Sequence, residues 1–472
     1  MINVLKLYNV LKTYICELNK MRMKRILTLT TIMVLSNFIA AQENLKKCIT
    51  TKIVQEELLN NPEYESMRKN LIKYQQEHKN TNDKNQPIIT IPIVVHIIHR
   101  TQDGIGQNTN ISNTQIEDQL RILNEDYSQT NPEFPNPPRN TFVNYAGNPQ
   151  LKFCLATIDP NGNPTNGITR TPTSKLSWDA DDDNEKNYMK LTSQGGRNSW
   201  DPLRYMNIWV CNLSNSSGGG QTLGYAYLPG LQGSNNQSWK DGLVVDYQFF
   251  GTTGSVSSSS DGRTATHEIG HYFGLNHTFC EDTGGGCCDN DNNSWWGGNV
   301  DDTPACRDIY FGPVNNSTNN NTCNDLSYNN VFNTNVLDMD ENYMSYARDT
   351  WMFSQGQVEL MLATLNASTF QGGRANLKNS NVTINCNNSV NINEYNIDNL
   401  YIYPNPSKGN IFINYSKEII SVSIYNIVGK KIVSNAQINN NLINMNQLSD
   451  GIYLININTT EGVITKHIII SK

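Results

Sequence analysis

One eleven-residue stretch, His267-Glu268-Ile269-Gly270-His271-Tyr272-Phe273-Gly274-Leu275-Asn276-His277, restricts the fold more than any other part of the chain. On a helix, residues four apart share a face, so His267 and His271 present their imidazoles to one point. Glu268 lies a step round the helix, beside that point rather than on it. Gly274 admits the left-handed backbone that stops a helix abruptly, and the chain beyond it can swing His277 back to the same point. Three neutral imidazoles with a fourth position open make a catalytic rather than a structural zinc site. Zinc lowers the pKa of a bound water to about 7, and Glu268 is placed to accept that water's proton. The plain alternative is an amphipathic helix with surface histidines. Only seven histidines occur in 472 residues, and chance would place three of them, a Glu and a Gly in this register on the order of a few times per million such chains.

The length predicts two or three domains. A net charge of −7 gives no footprint for nucleic acid or an anionic membrane. Lys20–Arg25 is a basic stretch and Ile26–Ile39 an apolar run ending in Ala40-Ala41, which reads as a secretory signal over 1–41, with Met21 or Met23 as alternative starts. The run is short of the roughly 20 residues that span a bilayer, and no later segment is apolar enough to cross one. Of ten cysteines, Cys16 precedes the signal core and Cys48 stands alone near the mature start. The other eight, Cys154, Cys211, Cys280, Cys287, Cys288, Cys306, Cys323 and Cys386, read as disulfides in an exported chain. Structural zinc on thiolates is the other reading, but no paired CxxC spacing supports it.

Residues 42–86 are polar, with helical character at 53–59 and 64–76. Ile88–Ile98 is a β-branched run and predicts the first strand of a new domain. Ser112 predicts a helix N-cap, with Ile116, Leu120 and Leu123 at helical spacing. Further strands are expected at 151–158, 205–212, 223–228 and 243–249, and helices at 264–275 and 354–365. The stretch 280–335 is rich in Gly, Asn, Asp and Cys, as functional or clamped loops are. Residues 376–398 read as an Asn/Ser-rich linker. From Asn399 short alternating strands (411–415, 422–427, 431–433, 452–457 and 466–470) predict a small all-β sandwich.

The long histidine motif resembles that of the metzincin clan of metallopeptidases. Glu341-Asn342-Tyr343-Met344-Ser345-Tyr346 is similar to the clan's Met-turn, which implies Met344 beneath the metal and Tyr346 as a stabiliser of the oxyanion. Within the clan the chain resembles the pappalysin family, on Ile91–His96, Asn207–Val210, Leu223–Ala226, His277–Phe279, Val300–Pro304 and Phe353–Gln357. The resemblance covers roughly residues 45–375. It implies an α+β fold with a twisted mixed sheet, an active-site helix and a Met-turn, followed by the small β-sandwich. The implied organisation is a signal over 1–41, a propeptide over 42–86, a zinc metallopeptidase domain over 87–375, the linker and a sorting domain over 399–472. It implies protein or peptide substrates added to the edge strand at 224–227, whose unpaired backbone groups can accept one more strand.

Cys48 can silence such a site by placing its thiolate in the open zinc position; a spare thiol or a disulfide partner is the alternative. Family members carry Cys-Gly-Thr here, with Ile49 in place of the glycine. The oxygen donors of Glu281–Pro304 suit Ca²⁺ or simply a solvated loop, and the resemblance implies calcium at Asp302 and Thr303. It also implies that Asp349, five residues after Met344, lies at the bottom of the S1′ pocket and selects Arg or Lys, with Arg348 beside it. Tyr403-Pro404-Asn405-Pro406, the Gly-Lys turn and the closing strand resemble the C-terminal sorting domain of type IX secretion substrates; a generic adhesion sandwich is the alternative. These expectations describe a secreted or cell-surface zinc endopeptidase. A surface binding protein without turnover is the competing reading, and the intact Glu268 argues against it.

Overall fold

Ile89–Arg100 (β1) is an unbroken run of Ile and Val flanking one Pro and two His, apolar on both faces as a strand covered on both sides requires. Residues 91–99 are all buried. Five more strands join it: Leu151–Leu155 (β2), Ile168–Thr173 (β3), Met206–Cys211 (β4), Gly224–Ala226 (β5) and Leu243–Asp246 (β6). Parallel pairing gives the order β2-β1-β4-β6, and β3 continues along β1 beyond β2. β5 closes the sheet as its one antiparallel strand, paired with β6. The computed structural model describes residues 48–78, 87–134, 136–216, 220–233, 237–280, 300–328, 330–383, 401–415, 419–426, 430–434, 436, 438–439, 441–459 and 462–472. The expected signal over 1–41 lies outside them.

Five helices cover the two faces of this sheet. Thr50–Asn60 (α1) and Pro62–Glu77 (α2) fall where helical character is expected; Asn61 caps α2, accepting from the Tyr64 amide at 3.1 Å. Asn113–Asp126 (α3) begins at the expected cap, Ser112, which accepts from the Gln115 amide. Thr264–Tyr272 (α4) carries the histidine motif, and Gln355–Asn366 (α5) starts in a capping box of Ser354 and Gln357. One face of the sheet packs Ile91, Ile93, Val95 and Ile97 against Ile116, Leu123, Ile269, Met361 and Leu365 of α3, α4 and α5. The opposite face packs Ile98, Trp209, Tyr225 and Val244 against Ile53, Val54, Leu58 and Tyr64 of α1 and α2. Each large side chain so buried contributes about 1.5–3 kcal/mol, so α1 and α2 are held as core elements and not as a loose leader.

A buried ion pair locks the end of the motif helix to the sheet. Arg374 donates to Asp241 at 2.7 and 2.8 Å and to the Tyr272 carbonyl at 2.8 Å, its guanidinium 3.4 Å above the Tyr272 ring. Val382 is buried with Val94, Ala156 and Tyr205, and accepts from the Thr157 and Ile158 amides. The first unit therefore runs past the boundary expected at 375, up to Cys386. The expectation that all eight distal cysteines pair also needs correction. Cys211 and Cys306 are buried thiols outside any disulfide; Cys211 fills a place in the apolar cluster of β4 and β5, as a small hydrophobe does.

The second unit, Asn387–Lys472, forms two four-stranded antiparallel sheets. Tyr401–Tyr403, Asn410–Asn414, Leu442–Asn444 and Ile438–Asn439 make one; Lys431–Val433, Ile419–Asn426, Gly451–Thr459 and Gly462–Ile470 make the other. Alternate Ile and Val side chains, among them Ile411, Ile413, Val422, Ile424, Ile455, Ile457 and Ile468, form a single core.

Candidate metal centre and its surroundings

The helix α4 stops as its glycine predicts. Gly274 has φ +104°, its amide bonds to His271 O at 2.8 Å, and the Leu275 amide reaches back to Gly270 O at 3.0 Å. These bonds satisfy the last carbonyls of the helix and reverse the chain within one turn. His277 returns beside the helix, and its Nε2 lies 3.1 Å from that of His267 and 3.0 Å from that of His271. The remaining edge, His267 to His271, is 3.1 Å.

The other ring nitrogens decide what this triangle is. His267 Nδ1 lies 2.7 Å from Tyr343 O, and His271 Nδ1 lies 2.8 Å from Leu275 O. A carbonyl only accepts, so both Nδ1 atoms carry the proton and both Nε2 atoms direct lone pairs inward. Burial, with the neighbouring His277 and His267, holds the His271 ring well below the usual histidine range and therefore neutral. Lone pairs converging at 3.0–3.1 Å repel one another unless a cation lies between them. Tetrahedral zinc bonds of about 2.0–2.1 Å place their nitrogens about 3.3 Å apart, so the donor set fits zinc.

The Met-turn closes the floor. Met344 is fully buried, accepts at its carbonyl from the Thr278 amide at 3.2 Å, and packs so tightly on α4 that a Cβ at Gly270 would meet its Sδ at 2.4 Å. Three supports were not legible in the sequence. Asp126, at the end of α3, accepts from Thr266 Oγ1 of α4 at 2.7 Å and from Tyr343 Oη at 2.8 Å, tying helix to turn. Arg263 lies 3.5 Å from the same carboxylate, whose pKa burial pushes up to about 6. Arg139, buried, pairs with Glu341 and donates to Asp338 O at 2.7 Å and Thr318 O at 3.1 Å. Only the burial of a charged residue would have marked them, and no local pattern announces that.

Above the triangle lies the start of the described chain. Cys48 Sγ and the three histidine nitrogens all lie within 4.8 Å of one another. Cys48 Sγ donates to Glu268 Oε2 at 3.4 Å, and Tyr346 Oη donates to Cys48 O at 3.1 Å. Cys48 forms a parallel bridge with Gly224 of β5. Thr50, unremarked in the sequence, accepts at Oγ1 from the Ala226 amide at 2.9 Å and lies 3.3 Å from Glu268 Oε2. Ile49 has φ −117°, open to any residue, so the family's glycine is not needed here. Burial pushes the Glu268 carboxyl up to about 8, against the pull of Cys48 and Thr50. Its Oε1 has no hydrogen-bond partner among the described residues. One cavity thus brings together Cys48, His267, Glu268, His271, His277, Met344 and Tyr346.

The remaining candidates lie apart. Asp302 accepts from Ser354 Oγ at 2.6 Å and from the Gly356 amide at 2.9 Å, so its carboxylate caps α5. Thr303 beside it is fully buried. The donors of 281–299 lie outside the described residues. Asp349 and Arg348 are both exposed, with Asp349 in a left-handed turn at φ +62°. Arg348 therefore does not neutralise it through an ion pair among the described residues.

A family model described as pregnancy-associated plasma protein-A, peptidase family M43, matches residues 191–366, and one for secretion-system C-terminal sorting domains matches 401–471. Mature mirolysin of Tannerella forsythia, solved with a cleaved peptide, is 35% identical; the match covers 64% of this chain and 98% of that one, with a TM-score of 0.51. A promirolysin mutant from the same organism is 31% identical over 72% and 98% of the two chains, with a TM-score of 0.56. An extracellular metalloprotease of Arthroderma gypseum is 25% identical over 275 residues, 58% of this chain and 71% of that one. No helix among the described residues is long and apolar enough to cross a membrane.

The contact between Gly270 and Met344 gives a test of the floor. Gly270→Ala is expected to lower metal affinity about 10- to 100-fold and stability by about 1–3 kcal/mol, read by competitive chelation and urea unfolding. Wild-type values in both would show that Met344 does not support the site.

Proposed function

The chain belongs to the pappalysin family and is a metalloendopeptidase, and on that footing we propose that it is a secreted zinc enzyme with Glu268 as general base. The observation that carries this reading is the convergence of three imidazole nitrogens beside a buried carboxylate. A zinc ion held by His267, His271 and His277 supplies Lewis acidity to the scissile carbonyl and makes the attacking water readily deprotonated. Glu268 accepts that water's proton and delivers it to the leaving amine. Tyr346 Oη, which here donates to the Cys48 carbonyl, turns the same donor to the oxyanion of a substrate. Extended substrate adds to the side of β5 that Cys48 and Thr50 now occupy, and is oriented by backbone pairing.

Glu268→Ala should lower kcat about a hundred- to ten-thousandfold while metal content is retained, and a chelator should abolish casein cleavage by the wild type. A Glu268→Ala enzyme as fast as wild type would refute the mechanism. Metal analysis of the same protein addresses calcium at Asp302 and Thr303. Because the Asp302 carboxylate already accepts two hydrogen bonds, calcium there must share its lone pairs, and a protein containing zinc but no calcium would remove that site.

Residues 42–86 act as a propeptide in this reading, with Cys48 as the latch. Supporting it, the match to the promirolysin mutant covers 72% of this chain and that to mature mirolysin 64%. Unprocessed Cys48→Ser protein is expected to gain activity that the unprocessed wild type lacks; equal silence in both would discard the latch. Disulfides at Cys154, Cys280 and Cys323, an export signal over 1–41 and passage through type IX machinery by way of 399–472 complete the proposal.

Asp349, exposed in its left-handed turn, is proposed to favour Arg or Lys at P1′. Asp349→Asn should then lose about tenfold in kcat/KM on P1′-Arg peptides relative to P1′-Leu peptides; an unchanged ratio, or a wild type that prefers Leu, removes the assignment.

A further inference from the structure

The face that α1 covers is charge-matched in a way that latency alone does not require. Lys240 Nζ pairs with Glu57 Oε2 at 2.8 Å, and Lys186 Nζ pairs with Glu56. Both lysines belong to the body of the first unit and both glutamates to the segment that the reading above removes. The Lys186 side chain is 4% exposed and that of Lys240 18%, so these ammonium groups are largely withdrawn from water. Lys186 keeps a second carboxylate, Asp183 at 3.1 Å, which also pairs with Lys52 of α1 at 3.3 Å. Lys240 has none other than Glu57 among the described residues. Departure of α1 takes away the carboxylate of Lys240 and opens its ammonium group to an incoming anion.

The position of the pair gives it a use. Tyr225 of β5 donates through its hydroxyl to Lys186 O, and Asn187 Nδ2 donates to Tyr227 Oη at 2.9 Å. Lys190 Nζ, over the rings of Tyr225 and Tyr227, donates to Lys240 O at 2.7 Å. The segments bearing both lysines are thus fastened to the edge strand, on the side of Gly224 towards Tyr227. In this structure a cleft of about 410 Å³ lies there, with Ile53, Glu56, Glu57 and Asn60 of α1 on one wall and Lys186, Asn187, Tyr227 and Lys240 on the other. Departure of α1 uncovers the wall that carries the two lysines, and an extended peptide added to β5 and reaching past Ala226 runs towards it.

Resting on the proteolytic reading above, we infer that Lys186 and Lys240 form a substrate subsite for an acidic side chain flanking the cleaved bond, in the place now held by Glu56 and Glu57. The subsite adds a second selection, for acidic residues away from the cleaved bond, to whatever the pocket beside the metal selects.

The test uses the processed, zinc-loaded enzyme and peptides of one parent sequence, with a single Glu or Lys scanned through each position on both sides of the cleaved bond. At one or two neighbouring positions on one side, Glu is expected to exceed Lys about tenfold in kcat/KM, carried by KM. Lys240→Glu should reverse that ratio and Lys186→Glu should reduce it, and each ratio is internal to one protein, so a variant of lower active fraction still reports. Equal values for Glu and Lys at every position would overturn the subsite, as would a Glu preference that survives both substitutions. Failure of the wild-type enzyme to cleave any peptide would instead overturn the proteolytic reading.

Discussion

Three imidazole nitrogens held within 3.1 Å of one another, those of His267 and His271 directing lone pairs inward, are the constraint on which this structure turns. The protons that might relieve it are placed elsewhere, on the Nδ1 atoms that face Tyr343 O and Leu275 O. Those carbonyls belong to the two turns that define the site, one ending α4 and one carrying Met344. Ligand tautomer and chain reversal are therefore set by the same turns. Asp126 then fastens the helix α4 to the Met344 turn through Thr266 and Tyr343.

Against this floor the segment at Cys48–Thr50 meets every group that catalysis would use. Its thiol faces the triangle, its carbonyl occupies the Tyr346 hydroxyl, and Thr50 engages both Glu268 and the edge strand. Pairing with β5 is parallel, while the helices that follow cover a whole face of the sheet. In the reading proposed here, silence rests on a broad apolar interface as well as on one sulfur atom.

What the sequence disclosed follows from range. The helical spacing of His267 and His271, the stop at Gly274 and the return of His277 are local patterns, and the structure places all of them as expected. Met344, Tyr346 and Cys48, hundreds of residues apart in one case, were reached through the family resemblance and converge on the same cavity. The hidden parts are long-range and polar: Asp126 to Tyr343 across 217 residues, Arg139 to Glu341 across 202 and Arg374 to Asp241 across 133. Each partner alone reads as a surface charge, and only its burial shows otherwise. Cys211 was misread for the related reason that an even cysteine count says nothing about which thiols are merely apolar filling. Asp302, a calcium ligand by the family resemblance, also caps a helix that begins 53 residues later in the chain, a role its local sequence does not show.

The stop at Gly274 has a consequence for how the motif can vary. From His271 to His277 the chain path is dictated by two backbone hydrogen bonds and one positive φ, none of which involves the side chains of Phe273 or Asn276. The segment works as a ruler whose length is fixed by these backbone bonds, while the Phe273 side chain is fixed separately by its burial in the core. A single inserted residue would carry His277 past the triangle, and a single deleted one would leave it short. In this metal site the number of residues is itself a structural requirement, with glycine as the fixed mark from which the count is taken.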